Sequence, residues 1–254
     1  MKKQVITLII LSLFIAGAKA QDNAVGIGLF GLMNRNLNLT FERKFSDKTS
    51  LKAGIGFMIP GKLPWLDISK NYMQDNETEG YLEIALDKLR ISAISVTPEF
   101  RFYPGGSALK GFYLGPYLKY ANYMFSSSYI SDVDYVDNGL DYTQEDVVFE
   151  LKGNVQKMGG GIMVGYQWII SEAVSIDWCL SGPGVVSAFA SSTVEAPNFP
   201  ASRHIGDFTE EELSNIPEVF GKIDVEQKSQ TVAEGTWSRI LPIYRFNISI
   251  GIAF

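Results

Sequence analysis

The sequence predicts an all-β fold, a transmembrane antiparallel up-and-down β-barrel of eight strands whose long extracellular loops carry one or two short helices. Three observations carry that prediction: the alternation at the C-terminus, an export leader with no later membrane helix, and a sorting of short and long links. The chain ends on "YRFNISIGIAF". Phe246, Ile248, Ile250, Ile252 and Phe254 fall on one face of a strand, and Arg245, Asn247, Ser249, Gly251 and Ala253 on the other. Taken by itself this suits the last strand of a soluble sandwich as well as the closing strand of a membrane barrel.

The start of the chain narrows the choice. Residues 1–20 read "MKKQVITLIILSLFIAGAKA", with Lys2 and Lys3 ahead of an apolar run and Ala18-Lys19-Ala20 as a cleavage site. The organisation expected is a cleaved signal peptide over 1–20 and an outer-membrane barrel domain over 21–254. Without the leader's three lysines the formal charge of −6 becomes −9, which repels nucleic acid rather than gathering it. Cys179 is the single cysteine, so no intrachain disulfide forms. No later apolar run reaches the roughly 18 residues of a membrane helix. An exported chain of this kind spans a membrane only as a closed barrel.

The strands follow in order. Ala24–Leu32 is the first; Asn36–Phe45 alternates Leu37, Leu39 and Phe41 with Asn38, Thr40 and Glu42; Leu51–Ile59 alternates Leu51, Ile55 and Phe57 with Lys52, Gly54 and Gly56. Ile91–Tyr103 sets Ile94, Val96, Phe100 and Phe102 against Ser95, Thr97, Glu99, Arg101 and Tyr103. Phe112 to Met124 follows, with Leu114 and Leu118 opposite Lys119. Val147–Ile170 reads as one long strand with Phe149 and Leu151 outward, the parity reversing at Gly159–Gly161 through a glycine bulge; a turn there is the alternative and changes the count. Val174–Val186 and the closing strand Ile243–Phe254 complete eight.

With eight strands both barrel ends of the chain fall on the periplasmic side. The links "SDKTS", "PGGSALKG" and "SEA" are then short and periplasmic, while 60–90, 125–146 and 187–242 are long and outside. Phe45, Phe102, Tyr103, Phe112, Trp168 and Phe254 collect near the periplasmic ends as an interfacial girdle. Pro98 and Pro116 stand inside strands and demand irregular pairing.

The segments "NAVGIGLFGL", "LNLTFERKFSDKTSLKAGIGF", "VTPEFRFYPG", "GFYLGPYLKY", "GGGIMVGYQWII" and "VSIDWCLSGPGV" give the chain its resemblance to a small outer-membrane β-barrel family of Bacteroidota with no assigned function and OmpA/OmpX-like architecture. The resemblance implies an outer-membrane barrel and brings no catalytic residues.

Inward charges on this register are Glu42, Lys52, Glu99, Arg101, Lys119 and Asp177, three of each sign. A barrel of this size is filled by side chains, and buried charges are tolerable only when paired, so an internal ion-pair network without an open channel is expected. No cofactor is expected, and no metal or catalytic residue is assigned. His204, the only histidine, lies in the last long loop with Asp207 three residues on and no positioned partner visible. Asp132, Asp134, Asp137 and Asp141 crowd one outer loop without a full calcium-loop pattern. "DFTEEELSNIPEVFGKI" carries a capping box, Thr209 with Glu212, and Leu213, Ile216, Val219 and Phe220 at helical spacing, hence a short amphipathic loop helix. "ETEGYLEIALDKL" is a weaker second helix candidate.

The strands flanking 125–146 exceed the roughly 9–11 residues that cross a bilayer, so they project outside as a hairpin whose edges offer strand addition. The function expected is structural or interaction-based, in an accessory subunit of an outer-membrane complex or a surface receptor, with outer-membrane lipid as surroundings and no enzyme activity. The alternatives are a small passive pore and a hydrolase or acyltransferase using the His204 loop.

Overall fold

A computed structural model describes residues 22–62, 88–214 and 223–254, with backbone alone for 211–214. The proposed leader over 1–20 lies outside these residues, as does the candidate helix at 77–89 apart from Lys88 and Leu89. The strands are β1 (Asn23–Gly28), β2 (Asn36–Ser46), β3 (Thr49–Lys62), β4 (Arg90–Phe102), β5 (Gly111–Asp137), β6 (Leu140–Ile170), β7 (Val174–Glu195), β8 (Asp224–Ser229) and β9 (Val232–Ala253); the helices are α1 (Leu29–Met33) and α2 (Ile205–Ser214). All pairings are antiparallel between sequence neighbours, except that β7 pairs β9 and β9 returns to β1. The ring is closed by eight strands, while β8 flanks β9 outside it. Asn23 and Phe254 exchange both backbone hydrogen bonds, at 2.9 and 2.8 Å, so the two ends of the described barrel lie side by side.

The polarity of the barrel is inverted. Leu51 is 51% exposed and Ile252 59%, while Arg101, one strand from Leu51, is fully buried. The two-residue period produces this directly, since alternate side chains leave opposite faces. Ile55, Phe57, Ile94, Phe100, Leu114, Leu118, Ile162 and Trp168 form an exposed apolar belt. Phe246, Ile250 and Ile252 of the closing strand are exposed on the same outer face, with Ile248 and Phe254 half-buried. Glu42, Lys52, Glu99 and Asp177 are buried on the inner face.

The short links are tight. Asp47-Lys48 joins β2 to β3, and Ser171-Glu172-Ala173, the first two with positive φ, join β6 to β7. β5 and β6 climb together to Asp137↔Leu140, with one register shift between Ser131 and Val133, and are closed by Asn138 (φ 51°) and Gly139 (φ 79°). That is the Asn-Gly turn whose twist matches a hairpin.

Three expectations need correction. The first strand ends at Gly28 rather than Leu32, because the chain coils into α1, where Phe30 packs on Phe246 with ring centroids 5.1 Å apart. Gly159–Gly161 form no bulge; their pairing with β5 and β7 runs without interruption. The extra residue sits in β7, where the register with both β6 and β9 shifts across Cys179–Gly182. Parity therefore reverses in β7 and not in β6. Phe149, expected outward, is buried, and Leu151 shares its face, because apolar residues of the last long loop cover the inside of the barrel's upper extension. Pro98 and Pro116 leave rungs out of the β4–β5 ladder, yet the register is the same on either side of them.

Candidate functional site

Two features of the inside stand out, a polar plug at the barrel end where Asn23 and Phe254 meet and an apolar module above. The plug is built by register. Glu42 of β2 faces Lys52 of β3, which faces Glu99 of β4, and Ser50 faces Arg101. The shear of the barrel then brings Asp177 of β7 and Arg245 of β9 across the lumen onto these groups.

Arg101 is the hub. Its Nε and Nη2 donate to Glu99 Oε2 at 2.9 and 2.7 Å, Nη2 also donates to Asp177 Oδ2 at 3.0 Å, and Nη1 to Glu42 Oε2 at 3.3 Å. Its guanidinium lies 4.0 Å from the centre of the Tyr113 ring. Lys52 pairs with Asp177, and Arg245 with Glu99. Three carboxylates, Glu42, Glu99 and Asp177, thus meet three cations, Lys52, Arg101 and Arg245. Neutral groups complete the set. Ser50 Oγ donates to Glu42 Oε1 at 2.5 Å, Tyr103 OH to the same oxygen at 2.8 Å, and Tyr113 OH to Asp177 Oδ1 at 2.8 Å. Gln167 Nε2 reaches Glu42 and Ser175, each at 3.2 Å. Such saturation is what makes buried charge tolerable.

Five of the six charges expected inside the barrel therefore join one network. Lys119 does not. It is half-buried on the inner face, and none of its described contacts is with an acid. Arg245, Tyr103, Tyr113 and Gln167 were missing from the expected set. Parity alone placed Arg245 inside, and it places Tyr103 in the plug rather than in the girdle; Phe45, Phe102, Phe112 and Trp168 do stand exposed near that end.

Above the plug, Val133, Val147, Phe149, Ala196, Phe199, Ile205, Phe208 and Ala233 make an apolar core inside the projecting strands. Phe149 stacks on Tyr129 at 5.1 Å and on Phe208 at 5.6 Å. Asn198 clips the loop to β6: its Oδ1 accepts from Val148 N–H at 3.0 Å and its Nδ2 donates to the Asp146 carbonyl at 2.9 Å. The helix of this loop begins at Ile205, four residues before the expected cap. Thr209 is inside it, donating to the Ile205 carbonyl at 2.7 Å, so Thr209 and Glu212 do not form a capping box. Leu213 lies within α2, its side chain outside the described residues, as are Ile216, Val219 and Phe220.

His204 is exposed ahead of α2, and among the described residues its ring makes no hydrogen bond with an acid or a serine. The acidic loop is the tip of the β5–β6 hairpin. Asp134 accepts from Thr143 Oγ1 at 2.7 Å and Asp132 from Asp146 N–H at 2.9 Å. No group of three metal ligands assembles among the described residues. A groove of about 700 Å³ is lined by the tip, with Tyr135 and Tyr142 stacked at 5.6 Å, and by Ser202 and Arg203, whose Nη1 donates to the Asp134 carbonyl at 3.3 Å.

The chain is similar in structure to Acinetobacter baumannii CarO2 (9% identity, 92% of this chain and 98% of that chain, TM-score 0.38). It is also similar to a major outer membrane protein from Thermus thermophilus (12% identity, 93% and 100%, TM-score 0.42). A third likeness is to the N-terminal β-barrel domain of Pseudomonas aeruginosa OprF (9% identity, 93% and 100%, TM-score 0.26). No functionally curated protein matches the sequence. Residues 5–187 match the family described as "Protein of unknown function (DUF3575)", and the chain belongs to that family.

Proposed function

We propose that this chain is an integral outer-membrane β-barrel with a structural or interaction role, a non-enzymatic accessory subunit or surface receptor that acts through its outer module. Membrane residence is supported by the exposed apolar belt around a charged interior, a distribution that lipid favours and water does not. The leader-like segment at 1–20 supports export. The observation that carries the interaction role is the outer module itself, in which β5, β6, β7 and β9 rise past the belt and are packed from inside by Phe149, Phe199 and Phe208. A barrel whose only task was to fill the bilayer has no need of an apolar core beyond it. The pore alternative has to open a path through the Arg101 network. The His204 alternative needs a catalytic partner that the described residues do not supply.

The experiment is affinity purification of the tagged chain from outer membranes in mild detergent, with heat-modifiable migration as the check of a folded barrel. A partner should co-purify in constant ratio with the parent and be lost from Phe208→Ala, which loosens the module while the barrel stays heat-modifiable. Retention of the same partner by Phe208→Ala, or recovery of the chain from the soluble periplasm, overturns the reading.

A further inference from the structure

Between the plug and the apolar module the inner wall changes character. Small residues, among them Gly54, Gly56, Ser95, Gly159, Gly161 and Gly184, share the inward parity of the plug residues. The charges also cease to balance. Lys119 of β5 and Lys157 of β6 face inward, two rungs apart on the ladder that pairs Lys119 with Gly159 and Ala121 with Lys157. Between the plug and the module, no inward position of the described strands is an acid.

The neighbours of Lys119 are cationic: it lies in the fields of Arg245 and Lys157. Arg245 is committed to Glu99, and Lys157 lies 5.1 Å from the centre of the Tyr123 ring. Both lysines are half-buried, so solvent reaches them. Like charges held together in a partly desolvated space raise the free energy of the empty site, and an anion between them lowers it. Burial strengthens that attraction relative to bulk water, and ammonium groups are donors that an oxyanion accepts from.

We infer that the lumen between plug and module is an anion-binding chamber, in which Lys119 and Lys157 receive the phosphate or carboxylate of a small water-borne solute. The strand wall separates the chamber from lipid, so the occupant is a dissolved solute and not a lipid headgroup. The inference rests on the barrel and plug described above. The net charge of −6 makes non-specific uptake of anions by the chain unfavourable, so saturable binding reports a local site.

The test is a titration of the full ¹⁵N-labelled chain in dodecyl maltoside, a phosphate-free detergent, with inorganic phosphate, followed by amide shifts. Saturable shifts centred on Lys119 and Gly159–Gly161 are expected. Lys119→Gln and Lys157→Gln, each made separately, should weaken binding at least tenfold, and Lys152→Gln, an exposed site paired with Glu150, should leave it unchanged. Choline chloride should give no saturable shifts. Absence of saturation with phosphate, equal binding by all three variants, or binding of dihexanoyl phosphatidic acid but not of free phosphate overturns the inference. A chain that fails to migrate as a heat-modifiable barrel fails the functional reading instead, so the two failures are separable.

Discussion

Arg101 offers the sharpest test of how the inside of this barrel is held. Replacing it with Met keeps most of its apolar length against Tyr113 and removes its charge from three carboxylates. The three do not suffer equally. Glu99 retains Arg245 and Asp177 retains Lys52, whereas Arg101 is the one cation on Glu42 in the network. Glu42 would be left with the neutral donors Ser50, Tyr103 and Gln167. Breaking a buried pair in this way costs about 3–5 kcal/mol, since it strands an uncompensated charge. The logic makes a second demand. Arg101→Met combined with Glu42→Gln removes the stranded charge and leaves an amide oxygen that still accepts from Ser50 and Tyr103, so the double variant should recover more than half of the loss. Urea unfolding of chains refolded into lipid vesicles measures both, with the barrel followed by heat-modifiable migration and by the exposed Trp168. A loss under about 1 kcal/mol for Arg101→Met, or no recovery in the double variant, would refute the argument.

Other outcomes follow from the same geometry. Phe149→Ala should cost the outer module about 3–5 kcal/mol and open 196–214 to limited proteolysis, while heat-modifiable migration is kept. Ile55→Arg, on the lipid face near mid-barrel, should destabilise the chain by about 2–4 kcal/mol in vesicle unfolding. Gly139→Val forces a β-branched residue to a φ of 79°, so the hairpin tip should become protease-sensitive between Ile130 and Asp146 without change to the barrel.

Much of the barrel is legible because alternation is a local signal. Phe246 to Phe254, or Leu51 to Ile59, need no knowledge of the rest of the chain to be sorted into faces. Rungs such as Glu42 beside Lys52 follow once hairpins are drawn. The cross-lumen partners do not: Lys52 and Asp177 are 125 residues apart and meet through the shear of the closed ring. Lys119 has the same parity as the plug residues and sits above them, so parity could not say that it lacks an acid. Phe149 misled because polar-inside holds only at the height of the lumen; higher up, a loop supplies an apolar inside. The glycine triplet drew the bulge to the wrong strand, though "SGPG" at 181–184 lay beside the real one. Asn138-Gly139, the strongest short hairpin signal available, was hidden among acids read as a loop.

The joint between the first and last strands sets how such a ring is assembled. β1 meets β9 only from Ala24↔Ala253 to Gly28↔Ser249, whereas β5 and β6 share a ladder from Gly111 to Asp137. The long hairpin is also local, while the joint brings together the first and last described strands, which are far apart in sequence, so its entropy of loop closure is large. On these grounds the hairpins of the middle of the chain should form a partly curled sheet early, with the joint clasping it last. In unfolding the order should reverse, the ring unclasping at the β1–β9 seam before the longer ladders of its wall are lost.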